Sequence, residues 1–184
     1  KEGKRPAAIY FIISGKVKTC KMNDAGKELI TGIYTAGDFI GYTILLEERV
    51  YSDAAEVMED AEVMIIPKPD FLNLINSDWQ VSKMFIRLLA KNVLENEERL
   101  LTIAYQSLRK KVATALIQVF DKFKTAPDDK PEIDIPRNDL AHITGIATES
   151  LVRTLSDFKT EKLIEIKEGR IIILQVKKLR ELLY

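Results

Sequence analysis

The stretch from Pro136 to Lys159, PRNDLAHITGIATESLVRTLSDFK, restricts the fold more than any other part of the chain, because two short amphipathic helices meet in it at Gly145. The spacing predicts a first helix from Arg137 or Asn138 that buries Leu140, Ala141 and Ile143. A Gly-Ile-Ala turn then reverses the chain through glycine's tolerance of positive φ. A second helix starts at Thr148, a suitable N-cap. Leu151, Val152, Leu155 and Phe158 recur at helical spacing as its buried face, which leaves Glu149, Ser150, Arg153 and Thr154 pointing elsewhere.

A helix that enters the major groove must offer side chains near its N-terminal end that match base edges. Arg153 can fork onto guanine O6 and N7, Glu149 can accept from cytosine N4, and their i, i+4 spacing sets them side by side. The plainer alternative is a surface pair worth a few tenths of a kcal/mol. The segment C-terminal to this helix favours the first reading. In EKLIEIKEGRIIIL, Glu161 to Leu174, two β-rich runs flank a Lys-Glu-Gly-Arg turn, the pattern of a hairpin wing. Lys167 and Arg170 at its tip are placed to touch phosphate. With Arg137 at the start of the first helix, the candidate DNA contacts are Thr148, Glu149, Ser150, Arg153, Arg137, Lys167 and Arg170, and the partner is double-stranded DNA.

From about Asp78 to Tyr105 the pattern becomes that of one long helix. Ile86, Leu89, Val93, Asn96, Leu100 and Ile103 are separated by 3, 4, 3, 4 and 3 residues, which predicts a coiled-coil seam and a homodimer. At ~1.5 Å per residue the helix is roughly 40 Å long. Lys91, Asn92, Glu95, Glu98 and Arg99 flank the seam and leave it narrow. Asn96 either fixes register by pairing with its mate or turns to a ligand. A further helix, Ser107 to Phe123, buries Val112, Leu116, Val119 and Phe120. It leads through the polar loop Thr125 to Pro131 into the first helix pair, and Tyr105-Gln106-Ser107 is the expected hinge.

The part up to about Pro69 reads as short strands. Ala8 to Ile13 is apolar, Lys16 to Met22 and Glu28 to Tyr34 alternate, and Asn23-Asp24-Ala25-Gly26 is a hairpin turn. Several such strands make a barrel or a roll.

On two segments, IYFIISGKVKTCKMNDAGKELITGIYTAGDFIG and IPRNDLAHITGIATESLVRTLSDFKTEKLIEIKEGRIIIL, the chain resembles the CRP/FNR transcription regulators along nearly its whole length. The resemblance implies an α+β architecture: an N-terminal double-stranded β-roll, jelly-roll-like and of the cyclic-nucleotide-binding type, over residues 1–77; a long dimerisation helix over 78–105; and a C-terminal winged helix-turn-helix over 106–184. Such a roll has further strands ahead of those seen here, so more chain is expected before Lys1. In that family a Glu and an Arg of the recognition helix contact bases, and they fall on Glu149 and Arg153. Many members carry an arginine just before that glutamate, where this chain has Thr148, so the operator sequence is left open. The resemblance also implies a twofold-symmetric operator, RNA polymerase as a partner, and a bacterial, cytoplasmic setting.

Cyclic-nucleotide binders of the family use a Gly-Glu step for the ribose and a later Arg for the cyclic phosphate. Here the step is Phe39-Ile40-Gly41-Tyr42, and Tyr51-Ser52 stand about where the Arg-Ser pair belongs. Arg49 lies two positions early, on the same face if the segment is a strand. A buried phosphate without its charged partner is costly, so cAMP is not expected to bind tightly. An effector other than cAMP, if there is one, is expected to be lined by Gly41, Tyr42, Thr43, Arg49, Tyr51, Ser52 and, from the long helix, Asn96. The bland alternative has Tyr42 and Tyr51 filling the vacated pocket. In a competing reading the roll is a regulatory module that acts on a protein partner.

Composition agrees with a two-domain regulator. With 184 residues, 46% hydrophobic and 30% charged, the chain can bury two cores, and its net charge of zero excludes an indiscriminate polyanion binder. Phosphate attraction must then be local, as in the cluster of Arg109, Lys110, Lys111, Lys122 and Lys124. No apolar run approaches the ~20 residues that span a bilayer. Cys20, the lone cysteine, rules out an intrachain disulfide and a cysteine-ligated iron-sulfur cluster and is expected as a core residue. His142, the lone histidine, is expected to face solvent or phosphate, and Trp79 to anchor the start of the long helix. No metal-spaced cluster, phosphate loop or nucleophile grouping appears, so no enzyme activity and no required cofactor are expected.

Overall fold

The computed structural model describes residues 3–124 and 132–183, and the chain divides into two compact units, Lys1–Leu100 and Leu101–Tyr184. The expected loop from Thr125 to Pro131 lies outside the described residues.

The first unit is a roll of two three-stranded antiparallel sheets. One has the order β4-β1-β6, from β4 (Phe39–Ile40), β1 (Ala8–Ser14) and β6 (Glu62–Pro67). The other has the order β3-β2-β5, from β3 (Glu28–Tyr34), β2 (Val17–Met22) and β5 (Ala54–Val57). In the β2–β3 turn Asn23 Oδ1 accepts from the backbone N–H groups of Ala25 (3.0 Å) and Lys27 (2.9 Å), a side chain standing in for backbone pairing. Register pairs Tyr10 with Ile40, Phe11 with Met64 and Cys20 with Ala54. Cys20 is buried, as a small core residue should be.

Between β4 and β5 the chain does not stay extended. Tyr42–Leu46 forms a short helix, α1, so Arg49 is not on a strand, and the even-offset expectation fails for that reason. Helices α2 (Lys68–Ser77) and α3 (Trp79–Tyr105) are separated by Asp78, extended at φ −122° and ψ 107°, whose Oδ1 accepts from Gln80 N at 2.8 Å. Phe85 of α3 packs in T-shaped contacts on Phe39, Tyr42 and Phe71, with centroids 5.2, 5.4 and 4.8 Å away. Tyr42, Phe71 and Phe85 form a buried cluster with Ile9 and Leu45, and Phe39 packs against it. Trp79, expected as an anchor, is the first residue of α3 and is 67% exposed.

In the second unit α4 (Leu108–Phe123) is capped by Ser107, whose hydroxyl accepts from Lys110 N. Val112, Leu116, Val119 and Phe120 are buried along one face. α5 (Arg137–Thr144) ends at Gly145 in the left-handed region, φ 67°, and α6 (Thr148–Thr160) follows after two residues. Strands β8 (Ile164–Lys167) and β9 (Arg170–Ile173) form the wing around a turn in which Glu168 and Gly169 both take positive φ, the geometry of tight two-residue hairpins. β7 (Glu132–Ile133) adds a third strand on the outer edge of β9, and α7 (Val176–Glu181) closes against α4. Leu140, Leu151, Leu155, Phe158, Ile133, Ile164 and Ile171 fill the core. Among the described residues, no helix is long and apolar enough to cross a membrane.

Candidate functional site

Helix α6 is amphipathic because Leu151, Leu155 and Phe158 are driven into the core. Which residues that leaves outside differs from the spacing expectation at three positions. Thr148 is the first helical residue and not the N-cap; Ala147 takes the cap position, and the Thr148 hydroxyl donates to Asn138 Oδ1 at 3.2 Å. Thr154 is buried, and its hydroxyl donates to the Ser150 carbonyl at 3.0 Å. Val152, expected inside, is 49% exposed. At about 100° per residue Val152 falls to one side of the arc that Thr154, Phe158, Leu151 and Leu155 occupy. The outward face is therefore Glu149, Val152, Arg153 and Ser156, at i, i+3, i+4 and i+7, all exposed.

The wing holds its cations differently from the expectation. Arg170 pairs with Glu132 (Nη1–Oε1 2.9 Å) and with Asp134 (Nε–Oδ2 3.3 Å), and the Glu132 contact holds its guanidinium more firmly charged than usual. Arg137 donates to the carbonyls of Gly169 (2.8 Å) and Ile135 (3.3 Å), bracing the wing turn against the start of α5, and its burial lowers its pKa. Both arginines are thus occupied within the fold, while Lys167 is exposed. The basic cluster of α4 is similarly divided. Arg109 makes a two-point pair with Glu161 (2.7 and 2.5 Å) and lies over the Phe158 ring, and Lys111 donates to the Ile103 carbonyl. His142 lies half-buried on α5 rather than fully at the surface.

In the roll the expected pocket residues differ in their surroundings. Gly41 and Tyr51 come together: the Tyr51 hydroxyl, donating to the Ala8 carbonyl at 3.4 Å, lies 3.2 Å from where a Cβ on Gly41 would be. Tyr42 turns the other way, is buried against Phe85, and accepts from Asn92 Nδ2 at 2.7 Å. Burial pushes its hydroxyl above the ordinary tyrosine range, outweighing the Asn92 bond, so it stays neutral. Thr43 and Ser52 are exposed, and so is Arg49, which pairs with Glu47 at 3.4 Å.

On α3, Asn96 is exposed, and the polar residue that meets the roll is Asn92, one turn earlier. Arg99 also faces the roll, donating to the carbonyls of Thr31 (2.9 Å) and Ile30. Spacing alone puts both on the flank of the seam; their donors find partners in the roll, which a heptad count does not register. Of the seam, Ile86, Val93 and Leu100 are 55%, 56% and 67% exposed within one chain, and Leu89 and Ile103 are half-buried.

Residues 1–78 match the family model of the cyclic nucleotide-binding domain, and residues 110–182 that of the Crp-like helix-turn-helix domain. The cyclic AMP receptor protein of Thermus thermophilus is 25% identical over 183 residues, a match that covers 100% of this chain and 82% of that protein. The anaerobic regulatory protein of Bacillus subtilis is 26% identical over 177 residues, covering 95% and 74%. The structure of FixK2 from Bradyrhizobium japonicum shares the fold, with a TM-score of 0.84 at 21% identity over 98% of this chain and 90% of that one. With one model on each unit and relatives matched along nearly its whole length, the chain belongs to the CRP/FNR family, as a transcription regulator with a helix-turn-helix DNA-binding domain.

Proposed function

We propose that this regulator works in the cytoplasm as a homodimer that reads a twofold-symmetric operator through Glu149, Val152, Arg153 and Ser156 of each α6, with no cyclic nucleotide in its roll. The observation that carries this reading is the outward face of α6, where a guanidinium and a carboxylate are exposed one turn apart. Val152 between them offers an apolar surface suited to a thymine methyl group.

Dimerisation is supported by Ile86, Val93 and Leu100, large apolar side chains seven residues apart that one chain leaves in water. Two recognition helices in such a dimer would stand ~34 Å apart, one turn of DNA. In solution the chain should sediment as a dimer, and duplexes selected from a random pool should contain inverted repeats one turn apart. Monomeric behaviour, or selected duplexes without symmetry, would count against the reading.

The roll supports the second part. One relative is named for its response to cyclic AMP. In this chain the position expected to hold a carboxylate for the ribose is Tyr42, which is buried and bonded to Asn92, and Arg49 lies outside on Glu47. Any effector is accordingly other than cAMP, and calorimetry with cAMP or cGMP should show no micromolar binding. RNA polymerase enters as a partner by family resemblance and is tested by transcription from a promoter that carries the selected operator.

A further inference from the structure

The wing of a DNA-binding domain ordinarily adds positive charge, yet here it does not. Around the hairpin tip, Lys167, Arg170 and Arg137 stand among Glu132, Asp134, Glu165 and Glu168. Two of those carboxylates are directed at one cation. Glu132, on the edge strand β7 and paired in register with Ile172, accepts from Arg170 Nη1 at 2.9 Å; Asp134, two residues on, meets Nε at 3.3 Å. The contacts use different edges of the guanidinium. All three side chains keep solvent access, at 53% for Arg170, 32% for Glu132 and 71% for Asp134, so the pairing lies at the surface where a phosphate backbone would compete for the guanidinium.

We propose that Glu132 and Asp134 set the strength of DNA binding through Arg170: they hold its guanidinium off the phosphate backbone and so weaken the sequence-independent part of binding, leaving discrimination to α6. This rests on the DNA-binding reading. A phosphate contact contributes equally on every sequence, whereas a base contact does not. Withholding one phosphate contact per protomer therefore lowers affinity for random DNA and for operator alike. The difference between operator and random DNA stays with Glu149 and Arg153. Near the wing, the two carboxylates also repel the backbone that Arg170 would otherwise approach. Arg137 keeps the hairpin in place meanwhile, through the Gly169 carbonyl, so the fold does not depend on where Arg170 points.

The test compares the wild-type chain, Glu132→Gln/Asp134→Asn, Arg170→Met and the triple combination on a random-sequence duplex from 50 to 200 mM salt. Freeing Arg170 in the double variant should tighten binding roughly threefold to tenfold at 50 mM and steepen the log–log salt slope by about 0.9 per protomer. Arg170→Met should leave the wild-type slope unchanged but, added to the double variant, remove the gain except for the part that comes from the lost carboxylate repulsion. The proposal is overturned if the double variant keeps the wild-type affinity and slope, or if Arg170→Met alone flattens the wild-type slope by about 0.9, since Arg170 would then already sit on phosphate. Should the double variant fail to fold, Asp134→Asn alone, at the more exposed position, carries the same expectation in smaller measure. A wild-type chain that shifts no duplex would overturn the DNA-binding reading as well, which separates the two failures.

Discussion

The recognition helix and the roll treat their polar side chains in opposite ways. On α6 the groups with the longest reach, Glu149 and Arg153, stand outside, while the polar group that turns in, Thr154, is satisfied by the carbonyl one turn back. In the roll the groups that spacing offers to a ligand are either satisfied by the fold itself, as Tyr42 is by Asn92 and Tyr51 by the Ala8 carbonyl, or exposed, as Thr43, Arg49 and Ser52 are. A buried polar group that already has its partner loses a bond on admitting a ligand, whereas an exposed one gives up only water. The helix thus offers its longest polar groups outward, whereas in the roll the two tyrosines are already bonded within the fold.

The contrast is most easily undone in the roll. Phe85 joins Phe39, Tyr42 and Phe71 from α3, so Phe85→Ala should destabilise this unit by about 3–5 kcal/mol, read as loss of the cooperative transition in a thermal melt. A loss below about 1 kcal/mol would mean the ring cluster is not what holds α3 on the sheets.

A smaller effect is expected at the Tyr42 hydroxyl. Tyr42→Phe removes the acceptor of the 2.7 Å Asn92 bond and keeps the ring, and should cost about 0.5–1.5 kcal/mol in a denaturant titration while DNA affinity at matched salt stays the same. If stability were unchanged and a ligand bound more tightly, the hydroxyl would belong to a binding site and not to the fold.

Smallest is Val152. Burying one methyl group is worth about 0.8 kcal/mol, so replacing thymine by uracil at the contacted position should weaken wild-type binding by roughly fourfold and leave Val152→Ser nearly indifferent. Equal losses in both proteins would place the valine away from the groove.

The strongly periodic elements were legible in the chain. The α5–α6 pair with its glycine, the wing, the long helix and the strands up to Pro67 follow from apolar spacing and turn residues, because those patterns record what each segment buries. Less legible were facts that depend on a partner distant in sequence. Asn92 and Arg99 look like solvent-facing flanks until the carbonyls of β3 and the Tyr42 hydroxyl are brought to them. Arg170 looks like a phosphate ligand until β7, only two residues long, carries Glu132 alongside the wing, and Arg137 does so until the Gly169 and Ile135 carbonyls are brought to it. Val152 and Thr154 exchanged places because a threonine can satisfy its hydroxyl on its own helix and pass for apolar, which a hydrophobicity pattern does not anticipate. The short helix α1 fell in a stretch where strands alone were expected.

Whether Arg153 reads bases from an outward helix face is decided by titrating wild-type protein and Arg153→Ala against the selected operator and a scrambled duplex of equal length at one salt concentration. The variant should lose about 1–3 kcal/mol on the operator, as for a bidentate arginine–guanine contact, with far less change on scrambled DNA and an unaltered circular dichroism spectrum. Equal losses on both duplexes, or none on either, would show that Arg153 reads no base.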